Sequence, residues 1–156
     1  MRRSSQNNSR ARFALNFGPS PLWLPALAAI VVGAILPVLL IPVIRVTGFS
    51  EGVEEVAKGI VVWILALYSV RTCDRLGFAL AFGTMFGLSE SMLYANQIAQ
   101  LGDWSVLWLR ISLTIPLHAL TALCVAWGIG RGRMWGALLG VGVAIVLHLA
   151  FNAQGF

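Results

Sequence analysis

Residues 53–70, VEEVAKGIVVWILALYSV, decide the fold. Val53-Glu54-Glu55-Val56-Ala57-Lys58-Gly59 opens an apolar run, Ile60 to Val70, long enough to continue into a membrane. Ionisable side chains therefore stand at the mouth of a hydrophobic helix. Helical spacing puts Glu54 and Lys58 four apart and Glu55 and Lys58 three apart, so the lysine can neighbour either carboxylate. A solvated helix start would account for the acids by attraction to the positive end of the helix dipole.

Working outward, 58% of the 156 residues are hydrophobic and 11% charged, with a mean hydropathy of +0.83. A soluble domain of this size cannot hide that much apolar surface in one core. Each span needs roughly 20 apolar residues, which leaves room for about five. The expected fold is all-α, a polytopic transmembrane helix bundle in the lipid bilayer, with no sizeable soluble domain beside it. The basic balance (pI about 10.3) would suit nucleic acid in a soluble protein. Here the basic residues lie at the ends of apolar runs, where topology signals belong, so nucleic acid is not an expected partner. Cys73 and Cys124 fall in separate segments and make no disulfide framework.

Residues 1–19 are polar, with Arg2, Arg3, Arg10 and Arg12, and read as a disordered basic cytoplasmic tail. It is not a cleaved signal peptide, because no small-residue cleavage site interrupts the long apolar run behind it. Residues 20–156 form a single transmembrane domain. Its first span is expected from Leu22 to Ile44, with Pro25 in the first turn and Pro37 and Pro42 kinking it or closing it early. Gly48 and Gly52 mark a turn, and Ser50 is a candidate cap for the next helix. The second span covers about 53 to 70 and the third about 76 to 98. In the third, Ala79, Gly83, Gly87, Ser91 and Ala95 form a small-residue stripe that lets another helix approach closely. Trp104 and Trp108 read as interfacial aromatics. The fourth span is expected to start between Leu107 and Leu109 and to end near Trp127, with Arg110 able to snorkel. The fifth runs from 134 to 152, with Gly136 and Gly140 as a second small pair. Lys and Arg crowd the tail and the 71–75 and 128–133 turns, and the alternate loops hold little positive charge. The positive-inside rule then gives N-in/C-out.

Once the loops are set aside, Glu54, Glu55, Lys58, Glu90, Arg110, His118, His148 and Asn152 remain in or beside the spans. A charge at mid-membrane costs about 2.5–3.5 kcal/mol on insertion scales, so such groups usually face the bundle interior and pair. Glu90 could simply pair with Arg110 or Lys58, and His118 could bond a carbonyl freed by Pro116. Depth argues for more. Under the N-in/C-out arrangement, Glu54 and Glu55 lie near the outer surface. Glu90 lies roughly 12 Å from it, His118 roughly 13–16 Å and His148 roughly 6–8 Å, at 1.5 Å per residue. All converge on the outer half of the bilayer, and His148 and Asn152, four apart, share a face.

Paired carboxylates at a water-accessible helix mouth can deprotonate water. Glu90, His118 and His148 make a Glu-plus-two-His set compatible with a catalytic zinc having an open position. The same groups could stabilise an oxyanion directly, and Asn152 is a plausible amide donor to it. The chemistry this points to is amide hydrolysis inside the membrane. Of the two acids, Glu54 has the i, i+4 relation to Lys58, which leaves Glu55 as the freer base.

Four motifs now stand in order on successive predicted helices: Glu54-Glu55-Val56-Ala57-Lys58, Phe86-Gly87-Leu88-Ser89-Glu90, His118, and His148-Leu149-Ala150-Phe151-Asn152. In this the chain resembles the PrsW family of intramembrane proteases, in the superfamily that includes the CAAX prenyl endopeptidases. The resemblance spans about 100 residues, from the second helix to the end of the chain. It implies cleavage of a membrane-anchored protein substrate, anti-sigma-factor-like in bacterial members, in the plasma membrane of a prokaryote. It also implies Glu54 or Glu55 as water activator, with Glu90 and the histidines as metal ligands or oxyanion stabilisers, and Lys58 and Phe86 in support. Family members commonly carry more membrane helices than this chain has room for. Two other readings remain open: a proton-coupled transporter, since intramembrane Glu and His also build proton relays, and a non-catalytic membrane scaffold of the same superfamily.

Overall fold

The computed structural model describes residues 22–69, 71–101 and 104–153. The basic tail expected over residues 1–19 lies outside the described residues. The described chain is helical: α1 Trp23–Thr47, α2 Ser50–Leu67, α3 Thr72–Leu101 and α4 Trp104–Asn152, with no strand among the described residues.

α1 runs through Pro37 and Pro42 to Thr47, past the end expected at Ile44. A proline removes a helical donor, and in a membrane helix a neighbour can satisfy the backbone it disturbs. Here Ser89 on α3 donates to the Ala34 carbonyl at 2.7 Å, in the turn before Pro37. Gly48, at φ 67°, closes the helix with its N–H on the Ile44 carbonyl, the left-handed cap that favours glycine. Ser50 does not cap α2. Phe49 stands at that position, and Ser50 donates its hydroxyl to Glu51 Oε2 at 3.0 Å.

α4 is two helices in direct succession across a kink. Gly132 (φ −140°, ψ 17°) and Arg133 (φ 49°, ψ −118°) leave helical geometry and divide it into a first arm, 104–131, and a second arm, 134–152. The arms fold back on each other. A Cβ on Gly136 would strike the Gly128 backbone, and one on Gly140 would come within 2.8 Å of Val125 Cα, so missing side chains are what let the backbones meet. The residues expected to form the fourth and fifth spans make up these two helical arms, the first of them starting at Trp104, ahead of the expected 107–109.

α3 is the central helix, packed on α4 by one face and on α1 by another. The small-residue stripe makes the first contact. A Cβ on Gly83 would lie 2.8 Å from Ala119 Cα, and one on Gly87 would lie 2.9 Å from Ile115 Cα. Phe82 and Phe86 are fully buried among Ala122, Val125, Ala126 and Val62. α2 rests mainly on α4.

The exterior is apolar: Leu39, Leu67, Trp135 and Leu139 are all more than 60% exposed. Helices α1, α3 (over residues 72–95) and α4 are long and apolar enough to cross a membrane. α2 is not among them, because Glu51, Glu54, Glu55 and Lys58 crowd its first half. Apolar surface on this scale is unfavourable in water and at home in lipid, and the chain is an integral membrane protein.

Candidate active site

Four helical segments each carry part of a buried polar cluster in this apolar bundle. α2 contributes Glu54, Glu55 and Lys58; α3 contributes Phe86 and Glu90; the first arm of α4 contributes His118, and its second arm His148. Glu55, Lys58, Phe86 and His118 are 0% exposed, and His148 is 4%. The residues of α2 are brought inward by their spacing: 54, 55, 58, 62 and 65 lie on one face, and all five are buried. His118 is placed by the stripe on α3, since the backbone of Gly83 and Gly87 lies directly against residues 114–119 of α4.

Lys58 is the hub. Its Nζ lies 2.5 Å from Glu55 Oε1, 2.7 Å from His118 Nδ1 and 3.1 Å from Thr121 Oγ1. An ammonium has three donors, and three acceptors are in place. The Phe86 ring lies beneath it at 4.9 Å and stacks at a tilt on His118, with ring centroids 5.0 Å apart. Thr121 hands its own proton to the His118 carbonyl at 3.2 Å. A buried charge is tolerated only when paired and hydrogen-bonded, and every ammonium hydrogen here has a partner.

This corrects the expected division between the two acids. Lys58 takes Glu55, three residues back, and leaves Glu54. The same Glu55 Oε1 accepts from His148 Nδ1 at 2.9 Å, so Glu55 is held by two helices at once. Glu54 is the less committed carboxylate. Its Oε2 is buried without a hydrogen bond among the described residues, and the His148 imidazole lies beside it with Nδ1 at 3.9 Å.

Glu90 contacts His118 Nε2 through its Oε2, in preference to the expected pairing with Arg110 or Lys58. Arg110 lies over the Tyr94 ring at 4.1 Å, one turn along α3 from Glu90. The His118 side chain does not turn to a carbonyl freed by Pro116; both its ring nitrogens face ionisable groups on other helices. Although Glu90 Oε2 and His118 Nε2 approach each other, neither makes a well-directed hydrogen bond. The cluster is least closed at Glu54 and Glu90, whose side chains are 11% and 14% exposed.

The donor set fits a metal. Glu54, His118 and His148 each present a ligand atom, all within 4.8 Å of one another. Glu54 thus stands in the group for which Glu90 was expected, and Glu90 lies against His118. In the cluster, buried Glu54 Oε2, Glu55 Oε2, Glu90 Oε2 and His118 Nε2 have no hydrogen bond among the described residues, and such orphaned atoms call for an explanation such as an ion. His148 gives Nδ1–H to a carboxylate, the outer-shell bond that frees the other ring nitrogen as a ligand. For His118 to do the same through Nε2, the proton between it and Lys58 must sit on Nδ1, so that in the metal-bound form Lys58 would be a neutral amine accepting it.

Asn152 is one turn beyond His148, and the partner its side chain takes is Glu51, not a member of the cluster: its Nδ2 donates to Glu51 Oε1 at 2.8 Å. Glu51 and Thr121 were not singled out from the sequence. Glu51 carried a usable signal, because its spacing to Glu55 repeats that of His148 and Asn152. Thr121 carried none, since a threonine in an apolar helix has many ordinary uses.

A family model described as PrsW family intramembrane metalloprotease matches residues 29–156. No curated protein and no solved structure matches significantly.

Proposed function

This chain belongs to the PrsW family of intramembrane metalloproteases, and from that premise we propose that it hydrolyses a peptide bond of a membrane-anchored protein at the Glu54–Glu90–His118–His148 cluster. One observation carries the reading: separate helices of an apolar bundle bring four ionisable side chains together, with the unbonded Oε2 of Glu54 on the less enclosed side.

The roles follow from the contacts. Glu55 is occupied by Lys58 and His148 and acts as the anchor that orients both. Glu54, with its free oxygen, holds the attacking water and takes its proton. The second amide hydrogen of Asn152 is a donor for the oxyanion of the tetrahedral intermediate. Glu54 returns the water's proton to the departing amine as the C–N bond breaks, while Glu90 stays in contact with His118. Glu54, His118 and His148 would hold a divalent metal, zinc by donor type, which would supply Lewis-acid polarisation and a more acidic water. Glu90 is then the carboxylate left to receive the proton.

The proposed topology has five spans, α1, α2, α3 and the two arms of α4, with N-in/C-out orientation and the cluster in the outer half of the bilayer. An anti-sigma-factor-like substrate and a prokaryotic plasma membrane belong to the same proposal.

The test is reconstitution of the full chain in proteoliposomes with a tagged single-span protein. The expected product is cut within or beside the spanning segment. Proton flux across the vesicles without cleavage would overturn the reading and favour a transporter.

A further inference from the structure

We infer that Glu51 is a positioning residue: it clasps Asn152 and sets the register of α2 against the second arm of α4, resting on the proposed function only for its effect on turnover. Glu51 sits in the first turn of α2, and Asn152 is the last residue of α4. Asn152 Nδ2 donates to Glu51 Oε1 at 2.8 Å, and Ser50 Oγ donates to Glu51 Oε2 at 3.0 Å. Both carboxylate oxygens are therefore used. One turn along each helix, His148 Nδ1 bonds Glu55 Oε1 at 2.9 Å. The two bonds are successive rungs between antiparallel helices. Beyond them lie Gly59 and the fully buried Ala144, which add no further polar rung.

Two consequences follow. An ionised carboxylate offers no donor, so Glu51 selects the amide orientation in which Asn152 Nδ2 faces α2, and one of its two hydrogens is spoken for. That leaves the second hydrogen with a fixed direction. Next, a slide or rotation of the second arm would break both rungs together, because residues one turn apart on a helix move as a unit. Glu51 thereby holds His148 on Glu55 without touching the reacting atoms.

The test uses the whole chain in lipid bilayers. It contains only two histidines, His118 and His148, so 15N-histidine labelling gives a spectrum in which each imidazole can be assigned. In wild type, His148 should show a protonated, hydrogen-bonded Nδ1. Glu51→Ala should shift or broaden that signal while circular dichroism stays unchanged. The paired exchange Glu51→Gln with Asn152→Asp, which swaps donor and acceptor, should restore it. In turnover, Glu51→Ala should lower kcat about tenfold with KM within about twofold, the scale typical of outer-shell partners. Asn152→Ala should cost less in the Glu51→Ala background than alone. A folded Glu51→Ala protein with an unchanged His148 signal would overturn the proposal, as would losses from the two single changes that multiply independently. If wild type cleaves nothing, the proposed function fails while the imidazole signal still decides the clasp.

Discussion

Glu54 and Glu55 are adjacent in sequence, and the structure assigns them opposite energetic roles, which Glu→Gln substitutions separate. Glu55 Oε1 accepts from Lys58 at 2.5 Å and from His148 at 2.9 Å, and the Glu55 and Lys58 side chains are both fully buried. Glu55→Gln keeps the shape but removes the negative charge bonded to the ammonium. Removing one partner of a buried ion pair leaves the other charge uncompensated and costs about 3–5 kcal/mol. Against a total stability of roughly 5–15 kcal/mol, that is a large loss. Glu54 Oε2 has no hydrogen bond to lose, and the His148 Nδ1 beside it is 3.9 Å away. Glu54→Gln should therefore change stability by no more than about 1 kcal/mol, with stabilisation allowed because a desolvated charge is removed. The assay is reversible unfolding of purified protein in mixed lipid–detergent micelles, followed by circular dichroism across a denaturing-surfactant titration. Equal destabilisation by the two substitutions, or a Glu55→Gln protein as stable as wild type, would refute the assignment.

Other expectations rest on separate contacts. Gly87→Val places a Cβ about 2.9 Å from Ile115 Cα and 3.1 Å from His118 Cδ2; this overpacking should cost about 1–3 kcal/mol and displace His118, which thermal unfolding and turnover measured together will show. Thr121→Val removes an acceptor from Lys58 and should destabilise by about 1–3 kcal/mol, and Thr121→Ser should recover most of that in the same unfolding titration. His148→Ala and His118→Ala should each abolish stoichiometric zinc in elemental analysis of protein loaded and then washed, whereas Arg110→Ala, whose guanidinium lies over Tyr94, should leave the zinc content unchanged. Chelation followed by re-addition of zinc should abolish and then restore cleavage in proteoliposomes.

Much of this organisation was legible in the sequence because the membrane imposes a simple code. Long apolar runs had to be helices, and GRGR at 130–133 had to interrupt one. The α3 stripe announced a close helix contact, and Gly83 and Gly87 make it. Glu54, Glu55, Glu90, His118 and His148 stood out because ionisable groups are expensive in lipid, and the structure gathers all five. Partner choice was not legible. Lys58 is within helical reach of both acids, and which one it takes depends on where His118 and Thr121 place their acceptors on another helix. The membership of the metal-compatible group was hidden for the same reason: spacing along α3 marks Glu90 as inward-facing without saying that it meets His118 while Glu54 closes the triad with His148. Asn152 read as an amide donor to a reaction intermediate, and its bond to Glu51 depended on the register of two helices about 100 residues apart in the chain.

The central claim is that Glu54, the acid that Lys58 leaves unengaged, does the chemistry. It is tested most directly by comparing wild type and Glu54→Gln, both shown to be folded, for cleavage of the same membrane-anchored substrate in proteoliposomes. Loss of the Glu54 carboxylate, as positioned base or as metal ligand, should lower the rate by about 10²–10⁴-fold with stability preserved. A Glu54→Gln protein that cleaves within a few-fold of wild type would contradict the account.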